Sequence, residues 1–490
     1  MLFNSLQFLI FFPIVTLVYF LIPHKIRYLW LLAASYYFYM CWNPEYALLM
    51  ATSTFITYLS GIFIERGKTP LARKITVGVS FTLNLAILFY FKYFYFTMDN
   101  INAIRELLGM SVLTPRFDVI LPVGISFYTF QALSYTMDVY RGELEPEKNP
   151  LKYALFVSFF PQLVAGPIER SKNLLTQVSE RHYFDYNRVR RGLLMMLWGF
   201  FLKLVIADRA AILVNTVYDA AENYSGLMLV LATIAFAVQI YCDFASYSII
   251  ARGAARVMGF ELMKNFEQPY FSASIAEFWR RWHISLSSWF KDYLYIPLGG
   301  NRKGRLRKYI NLMTVFLVSG LWHGASWNYV IWGAVHGVYQ IAGGVSGNLR
   351  RFVCAILNID RNTTHYKWFQ RIFTFVLVCF AWIFFRSESL TQALLIIKRI
   401  FTAFEPWSLY GGGITSMGLD GANLVVLVMS LAVLFFVSSG EHKGSSLGDR
   451  IETMHIFARW PIYLALIFSV LIFGIYGPGF AASQFIYFQF

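Results

Sequence analysis

The chain has 490 residues, of which 57% are hydrophobic, 19% are aromatic and only 14% are charged. A soluble domain carries roughly 25% charged residues on its surface, so this composition excludes a soluble protein. The 42 Lys and Arg residues outnumber the 27 Asp and Glu residues, which is typical of the cytoplasmic loops of membrane proteins and does not indicate a nucleic-acid partner.

Apolar runs follow one another along the whole chain. A helix needs about 20 mostly apolar residues to cross a bilayer, and the runs lack the alternation of barrel strands. We predict an all-α polytopic membrane protein with about 11–13 transmembrane or re-entrant helices, in one integral domain over residues 1–490, with short or broken helices at 152–165 and 309–322. The runs lie at 5–22, 28–42, 46–64, 75–98, 118–135, 152–165, 192–215, 226–250, 309–322, 327–345, 371–387, 422–438 and 460–476.

The loops between the runs suggest an orientation. The first two basic loops, at 23–27 and 65–74, are expected in the cytoplasm, which places the N-terminus outside. The segments 170–191, 280–308 and 350–371 are also basic, and the topology between 136 and 191 stays open. If 280–308 and 350–371 are both cytoplasmic, the two runs between them form a hairpin whose bend at 320–328 lies within or across the membrane.

Motifs of soluble enzymes do not occur in this sequence. The four cysteines are scattered and form no pair, so neither a disulfide framework nor a metal site is indicated. No nucleotide-binding or hydrolase motif occurs, and no permanently bound cofactor is expected. Several charged residues lie in or beside apolar runs, where internal ion pairs between helices are their expected role: Asp138, Lys203, Asp208, Asp243, Arg252 and Arg256.

Two histidines lie in the predicted hairpin. His323 stands between two apolar runs, with Gly320 and Gly324 on either side permitting close approach of a ligand. A neutral imidazole can accept a proton, so His323 is a candidate base, with a hydrogen-bonded packing histidine as the alternative. His336 lies in a glycine-flanked apolar segment, where helix packing is favoured over the lining of a cavity.

A third histidine lies in a basic segment. We predict one amphipathic helix over 278–290, with Trp279, His283, Leu286 and Phe290 on its apolar face. The cations around it would attract the phosphates of a ligand, although positive-inside topology explains the same charges without one. The candidate phosphate-binding residues are Arg280, Arg281, Lys291, Arg302, Lys303 and Arg305.

Several segments, in this order, resemble the membrane-bound O-acyltransferase (MBOAT) family. The similarity is closest to the bacterial branch that includes the alginate O-acetyltransferase membrane subunit. These segments are 122–141, 160–170, 278–289, 292–302, 321–328 and 485–490.

The resemblance implies a helical bundle around a central cavity and an O-acetyltransferase of the bacterial inner membrane. It further implies that His323 is the catalytic histidine, that His283 occupies the second family position, and that acetyl-CoA is the donor substrate. An extracytoplasmic SGNH-type acetyltransferase would then be a partner, together with polysaccharide synthesis and export proteins. Alginate, cellulose, another exopolysaccharide and peptidoglycan all stay open as acceptors. The alternatives are a transporter and a non-catalytic scaffold of an export complex.

Overall fold

The computed structural model describes residues 1–114, 121–164, 166–444, 447–476 and 485. Within these ranges the chain is helical and contains no β-strand, which confirms the predicted all-α class. Parts of three predicted segments lie outside the described residues: the start of the run at 118–135, Ala165, and 486–490 of the terminal motif.

Most helices of the N-terminal part fall on the predicted apolar runs, but the helix at Ser171–Ser179 lies in the basic segment at 170–191 and the one at Phe94–Leu107 extends beyond the run at 75–98. Asn43 and Asn149 cap two of them, each followed by a proline at the first helical position, where the missing N–H costs nothing. The helices are α1 (Leu6–Leu21), α2 (His24–Met40), α3 (Pro44–Arg66), α4 (Pro70–Leu88), α5 (Phe94–Leu107), α6 (Ile125–Tyr140), α7 (Pro150–Ser158), α8 (Ser171–Ser179) and α9 (Tyr186–Phe200).

The rest of the described chain continues this pattern, and short wide-turn π-helical segments interrupt it at Phe201–Ala207 and Lys291–Tyr295. The helices are α10 (Asp208–Tyr218), α11 (Gly226–Met258), α12 (Ile275–Arg281), α13 (Ile284–Phe290), α14 (Gly304–His323), α15 (Trp327–Val345), α16 (Gly347–Ile356), α17 (Thr364–Arg386), α18 (Leu390–Thr402), α19 (Gly421–His442), α20 (Leu447–Thr453) and α21 (Ile456–Phe473).

Six helical segments among the described residues are long and apolar enough to cross a membrane. Many of their large side chains are exposed, as at Phe436 (75%). In a bilayer such a surface faces lipid tails, where exposed apolar groups carry no hydrophobic cost. The six are Pro44–Arg66, Pro70–Leu107, Gly226–Met258, Thr364–Arg386, Gly421–His442 and Ile456–Phe473.

The lengths of several helices differ from the predicted runs. As expected, α7 is short: its nine residues span only about 14 Å, less than half a bilayer core. The run at 309–322 instead belongs to the 20-residue α14. The run at 192–215 is divided into α9, the Phe201–Ala207 segment and α10.

The chain divides into two compact units, of which unit 1 comprises Met1–Met196 and Ser248–Met263. Within unit 1, α3 packs against α4 and α6, and α2 packs against α7. Polar side chains join these helices. For example, the Tyr153 hydroxyl of α7 donates to Thr57 Oγ1 of α3 at 2.8 Å. Such bonds replace the hydrophobic driving force that is absent between helices in lipid.

Unit 2 comprises Leu197–Tyr247 and Lys264–Phe490. Its central feature is an antiparallel hairpin of α14 and α15, against which α12 and α17 pack. The Phe201–Ala207 segment contacts α10, α19 and α21, and its Leu204 carbonyl accepts a hydrogen bond from the Ile475 amide at 2.9 Å. All three buried histidines from the sequence analysis lie in unit 2.

Candidate active site

The α14–α15 hairpin is held together by the close approach of two backbones. A Cβ on Gly320 would lie 2.1 Å from the Tyr329 carbonyl oxygen, and one on Gly333 would lie 2.2 Å from the Phe316 oxygen. No side chain fits at either distance, so glycine is required at both positions. The predicted hairpin is therefore present, with a connection of only three residues at 324–326.

The end of the hairpin is anchored in unit 2. Ser326 caps α15 by accepting a hydrogen bond from the Asn328 amide at 3.4 Å. The side-chain Nδ2 of Asn328 donates to the Ser387 carbonyl, just after α17, at 2.7 Å. These bonds fix the loop that follows His323, the last residue of α14.

Aromatic rings surround the side chain of His323, which is only 3% exposed. The ring centroids of Trp322 and Trp332 both lie 5.0 Å from the imidazole centroid, and that of Phe385 lies 5.4 Å away. All three contacts are edge-to-face, a favoured geometry for aromatic pairs. The wall around His323 is therefore built from α14, α15 and α17.

The helix predicted over 278–290 is wrong as a single element. It is broken into α12 and α13, and His283 stands between them with φ 43° and ψ 56°. This left-handed conformation is unfavourable for a side chain with a Cβ and ends the helical hydrogen bonding. His283 therefore does not share one continuous helical face with Leu286 and Phe290.

A preceding segment stabilises the break at His283. The Asn265 carbonyl accepts from the Ile284 amide at 3.0 Å, and Asn265 Oδ1 accepts from the Ser285 hydroxyl at 2.6 Å. The Glu267 amide donates to the Arg281 carbonyl at 3.0 Å. These bonds satisfy backbone groups that a break leaves without helical partners.

The imidazole of His283 is fully buried. Its ring centroid lies 4.6 Å from that of Phe244, edge-to-face, and 6.5 Å from that of His323. The prediction that the two histidines are neighbours is confirmed. The centroid distance of 6.5 Å places both imidazoles in one site, where both can act on one substrate.

His336 is also fully buried, at the middle of α15. Its Nδ1 accepts a hydrogen bond from Trp279 Nε1 of α12 at 3.2 Å. Its ring lies 5.0 Å from that of Trp332, which also contacts His323. The bond between two helices supports the packing role favoured from the sequence. We call His283, His323 and His336 the histidine cluster.

The buried charges form a separate group. Lys203 Nζ lies 2.9 Å from Asp208 Oδ1 and 2.7 Å from Asp243 Oδ1, and all three side chains are less than 10% exposed. The predicted internal ion pairing is confirmed for these residues, which we call the ionic cluster. Lys203 lies in the π-helical Phe201–Ala207 segment, a distortion often found at functional sites.

The other three candidates for internal pairing all lie in unit 1. Arg256 pairs with Glu261 at 2.8 Å, although Glu261 is exposed. Asp138 is buried and accepts a hydrogen bond from the Ser171 hydroxyl at 2.8 Å. Arg252 donates to the Leu262 carbonyl at 3.2 Å. Polar contacts within the unit therefore account for each of them.

The six predicted phosphate-binding residues differ in their surroundings. Arg281 pairs with Glu277 at 2.9 Å and donates to the Glu267 carbonyl, so its guanidinium is engaged within the protein. The other five side chains are exposed: Arg280, Lys291, Arg302, Lys303 and Arg305.

Sequence reasoning missed Asn265 and Phe244. Asn265 holds the break at His283 from 18 positions away, and no local pattern marks it. Phe244 follows Asp243 within α11, where an aromatic residue in an apolar run carries no special signal. The sequence equally did not show the positive φ of His283, because glycine alone adopts that conformation freely and other residues do so uncommonly.

Sequence comparison identifies the protein family. The model of MBOAT, the membrane-bound O-acyltransferase family, matches residues 4–387, which include His283, His323 and His336. The chain belongs to the membrane-bound O-acyltransferase family. Family membership shows that it is an O-acyltransferase and a multi-pass membrane protein, which removes the transporter and scaffold alternatives.

Similar MBOAT proteins occur in several bacteria. The "Probable alginate O-acetylase AlgI" of Pseudomonas putida is 40% identical over 440 residues, covering 88% of this chain and 87% of the relative. The protein of the same name in Pseudomonas aeruginosa is 40% identical over 445 residues, covering 89% and 81%. The "Peptidoglycan O-acetyltransferase" of Helicobacter pylori is 34% identical over 400 residues, covering 76% and 73%.

Proposed function

We propose that this enzyme moves acetyl groups from a cytoplasmic thioester, acetyl-CoA, toward the hydroxyl groups of an extracytoplasmic polysaccharide such as alginate. The observation that carries the proposal is the pair of buried imidazoles of His283 and His323, 6.5 Å apart. Relatives at 34–40% identity are named for O-acetyl transfer, and their names include two different polymers. Acetyl transfer to a polymer hydroxyl is what those names share.

His323 acts as the general base. As an acceptor hydroxyl attacks the thioester carbonyl, its proton passes to the imidazole of His323 and the new C–O bond forms. The C–S bond then breaks, and the protonated His323 returns the proton to the departing thiolate. The surrounding rings of Trp322, Trp332 and Phe385 keep water from competing as the acceptor. His283 orients or assists this base from the opposite side of the reacting group.

The role of His323 is tested by its replacement with alanine. We expect His323→Ala to insert normally and to lose about 10²–10⁴-fold in the rate of polymer acetylation. His365→Ala is the matched control, because His365 is exposed at the start of α17. Polymer acetylation is measured in cells at equal membrane levels of each variant. Wild-type acetylation by His323→Ala would show that this base is not required.

The donor enters from the cytoplasm in this proposal. The five exposed cations Arg280, Lys291, Arg302, Lys303 and Arg305 carry charges that attract phosphates, and arginine offers bidentate contacts. Arg281 is assigned a lesser part because its guanidinium already pairs with Glu277. Acetyl-CoA is a substrate here and is not a resident cofactor.

The enzyme passes the acetyl group to an extracytoplasmic SGNH-type acetyltransferase in this proposal. A hydrophilic polymer outside the membrane requires a protein surface there to hold it. The purified chain in vesicles, with acetyl-CoA on one side and deacetylated alginate on the other, tests the relay. We expect acetylation only when the partner is added, and robust acetylation without it would refute the relay.

The proposed location is the bacterial inner membrane, with the N-terminus outside the cytoplasm. The basic loops at 23–27 and 65–74 support this orientation. Reporter fusions at residues 25 and 70 test it: a reporter active only in the cytoplasm should be active at both positions. Inactive fusions at both would reverse the orientation.

A further inference from the structure

The hydrogen bond between Trp279 and His336 defines the state of the His336 ring. An indole N–H can only donate, so His336 Nδ1 accepts, at 3.2 Å, and carries no hydrogen. The ring is therefore the neutral form with its hydrogen on Nε2. This bond is directional and joins α12 to α15, whereas the other contacts described for His336 are between ring faces and edges.

His336 contacts Trp332, which packs on His323, and Trp279, which lies on the helix before His283. Trp279 lies four residues before His283, at the end of α12. Trp332 lies between His336 and His323, with its centroid 5.0 Å from both imidazoles and edge-to-face to each. A shift of His336 would therefore be passed to His323 through Trp332, and to α12, the helix that ends before His283, through Trp279.

The α12 helix depends on such contacts for its orientation. It has seven residues, too few for a stable isolated helix, and it ends just before the left-handed His283. Hydrogen bonds between Glu267 and Arg281 hold the C-terminal end of α12, and the Trp279–His336 hydrogen bond fixes the face that α12 presents to α15. A displacement of about 1 Å in a catalytic group can cost about 100-fold in rate.

We propose that His336 is a positioning residue for acyl transfer, which holds Trp279 and Trp332 so that the imidazoles of His283 and His323 keep their 6.5 Å separation. The inference rests on the proposed roles of His283 and His323 in the reaction. His336 itself exchanges no proton with the substrate. It acts through the tryptophans.

The test separates the hydrogen bond from the packing. Trp279→Phe removes the N–H donor and keeps an aromatic ring, and His336→Phe removes the acceptor and keeps a ring. His336→Asn places an amide oxygen near the position of Nδ1 and restores an acceptor. Trp460→Phe, on the exposed face of α21, is the control for a tryptophan-to-phenylalanine change. The full chain with its partner is assayed in vesicles with radiolabelled acetyl-CoA and deacetylated alginate.

We expect Trp279→Phe and His336→Phe each to lower kcat about tenfold, equivalent to about 1.4 kcal/mol, with the KM for acetyl-CoA unchanged within about twofold. The double variant should be no slower than either single variant, because both remove the same bond. His336→Asn should recover most of the rate, and Trp460→Phe should match the wild type.

The inference would be overturned if the loss in kcat of the double variant equalled the product of the two single losses. It would also be overturned if both single variants kept the wild-type kcat. If His336→Phe is not recovered as monodisperse protein, the test is the comparison of kcat between Trp279→Phe and His336→Asn. His323→Ala separates the two proposals. If His323→Ala is inactive while both single variants have the wild-type rate, the positioning role alone fails. If His323→Ala is fully active, the proposed function fails.

Discussion

Two buried regions of unit 2 contain ionisable side chains, and their surroundings are opposite in kind. In the ionic cluster, Lys203 Nζ lies within 3 Å of two carboxylates. In the histidine cluster, the centroids of aromatic rings lie 4.6–6.3 Å from the imidazole centroids. A permanent charge can be buried only beside an opposite charge, whereas an imidazole can be neutral and can be buried among rings. A buried, ion-paired side chain therefore indicates a structural role, whereas an imidazole buried among aromatic rings can still accept or donate a proton.

The two clusters are linked through α11. Asp243 of the ionic cluster directly precedes Phe244, whose ring contacts His283. The ion pair with Lys203 ties down α11 one residue before Phe244. We therefore expect the ionic cluster to affect activity only indirectly, through the stability and position of α11, and the histidine cluster to affect activity directly.

The largest expected effect on stability comes from Lys203→Met. It leaves two buried carboxylates without this ammonium partner, and breaking a buried pair typically costs about 3–5 kcal/mol. We expect a large fall in the apparent Tm in detergent and poor recovery from membranes. Lys148→Met is the matched control, because its pair with Glu65 is exposed and such pairs contribute about 0–1 kcal/mol. Equal losses for both variants would show that burial of the ion pairs of Lys203 adds nothing to stability.

The next largest effect is expected for a substitution in the α14–α15 hairpin that positions His323. In Gly333→Ala the new Cβ would lie 2.2 Å from the Phe316 carbonyl oxygen, so α14 and α15 must separate. We expect a loss of about 1–3 kcal/mol in stability, together with reduced acetyl transfer. Gly343→Ala on the same helix meets nothing within 4 Å, and there alanine should be neutral or stabilising by up to about 1 kcal/mol. Similar behaviour of the two variants would mean that the hairpin tolerates separation.

Much of the fold follows from hydrophobic periodicity in the sequence. Each predicted apolar run contains helix in the described chain, because long apolar runs are typical of membrane helices, although the run at 152–165 is helical only as far as Ser158. The interruptions were not predicted. The Phe201–Ala207 segment contains no Gly or Pro that would mark it, and its Lys203 pairs with Asp243 on a different helix, a tertiary contact that the local sequence does not show.

The sequence predicts which residues form the site but not the backbone geometry that positions them. His283 and His323 were identified from motifs, and their proximity is confirmed at 6.5 Å. The helix break at His283 was missed because the apolar positions around it fit a helical period. The break depends on hydrogen bonds from Asn265 and Glu267, which are tertiary contacts that no local pattern encodes.

A moderate effect is expected at the exposed cations. Arg302→Glu combined with Arg305→Glu reverses two charges that are proposed to attract the donor phosphates. Exposed charge contacts contribute about 0.2–1 kcal/mol each, so we expect the KM for acetyl-CoA to rise about two- to thirtyfold without loss of insertion. Arg350→Glu with Arg351→Glu is the control, with the same charge change at exposed positions of α16. An unchanged KM would assign the Arg302 and Arg305 charges to membrane topology.

The smallest expected effect distinguishes the backbone conformation of His283 from the role of its imidazole. The residue has φ 43° and ψ 56°, a conformation that costs a residue with a Cβ roughly 1–2 kcal/mol and that glycine adopts freely. We therefore expect His283→Gly to have a higher Tm than His283→Ala, by an amount equivalent to about 1 kcal/mol, while both variants have lost most of their activity. Lys398, exposed within α18, is the control position. There Lys398→Gly should have a lower Tm than Lys398→Ala, because glycine is about 1 kcal/mol less favourable than alanine inside a helix. If alanine is the more stable residue at both positions, the left-handed break at His283 is wrong. If His283→Gly is fully active, the break alone is needed and the imidazole has no part in acyl transfer.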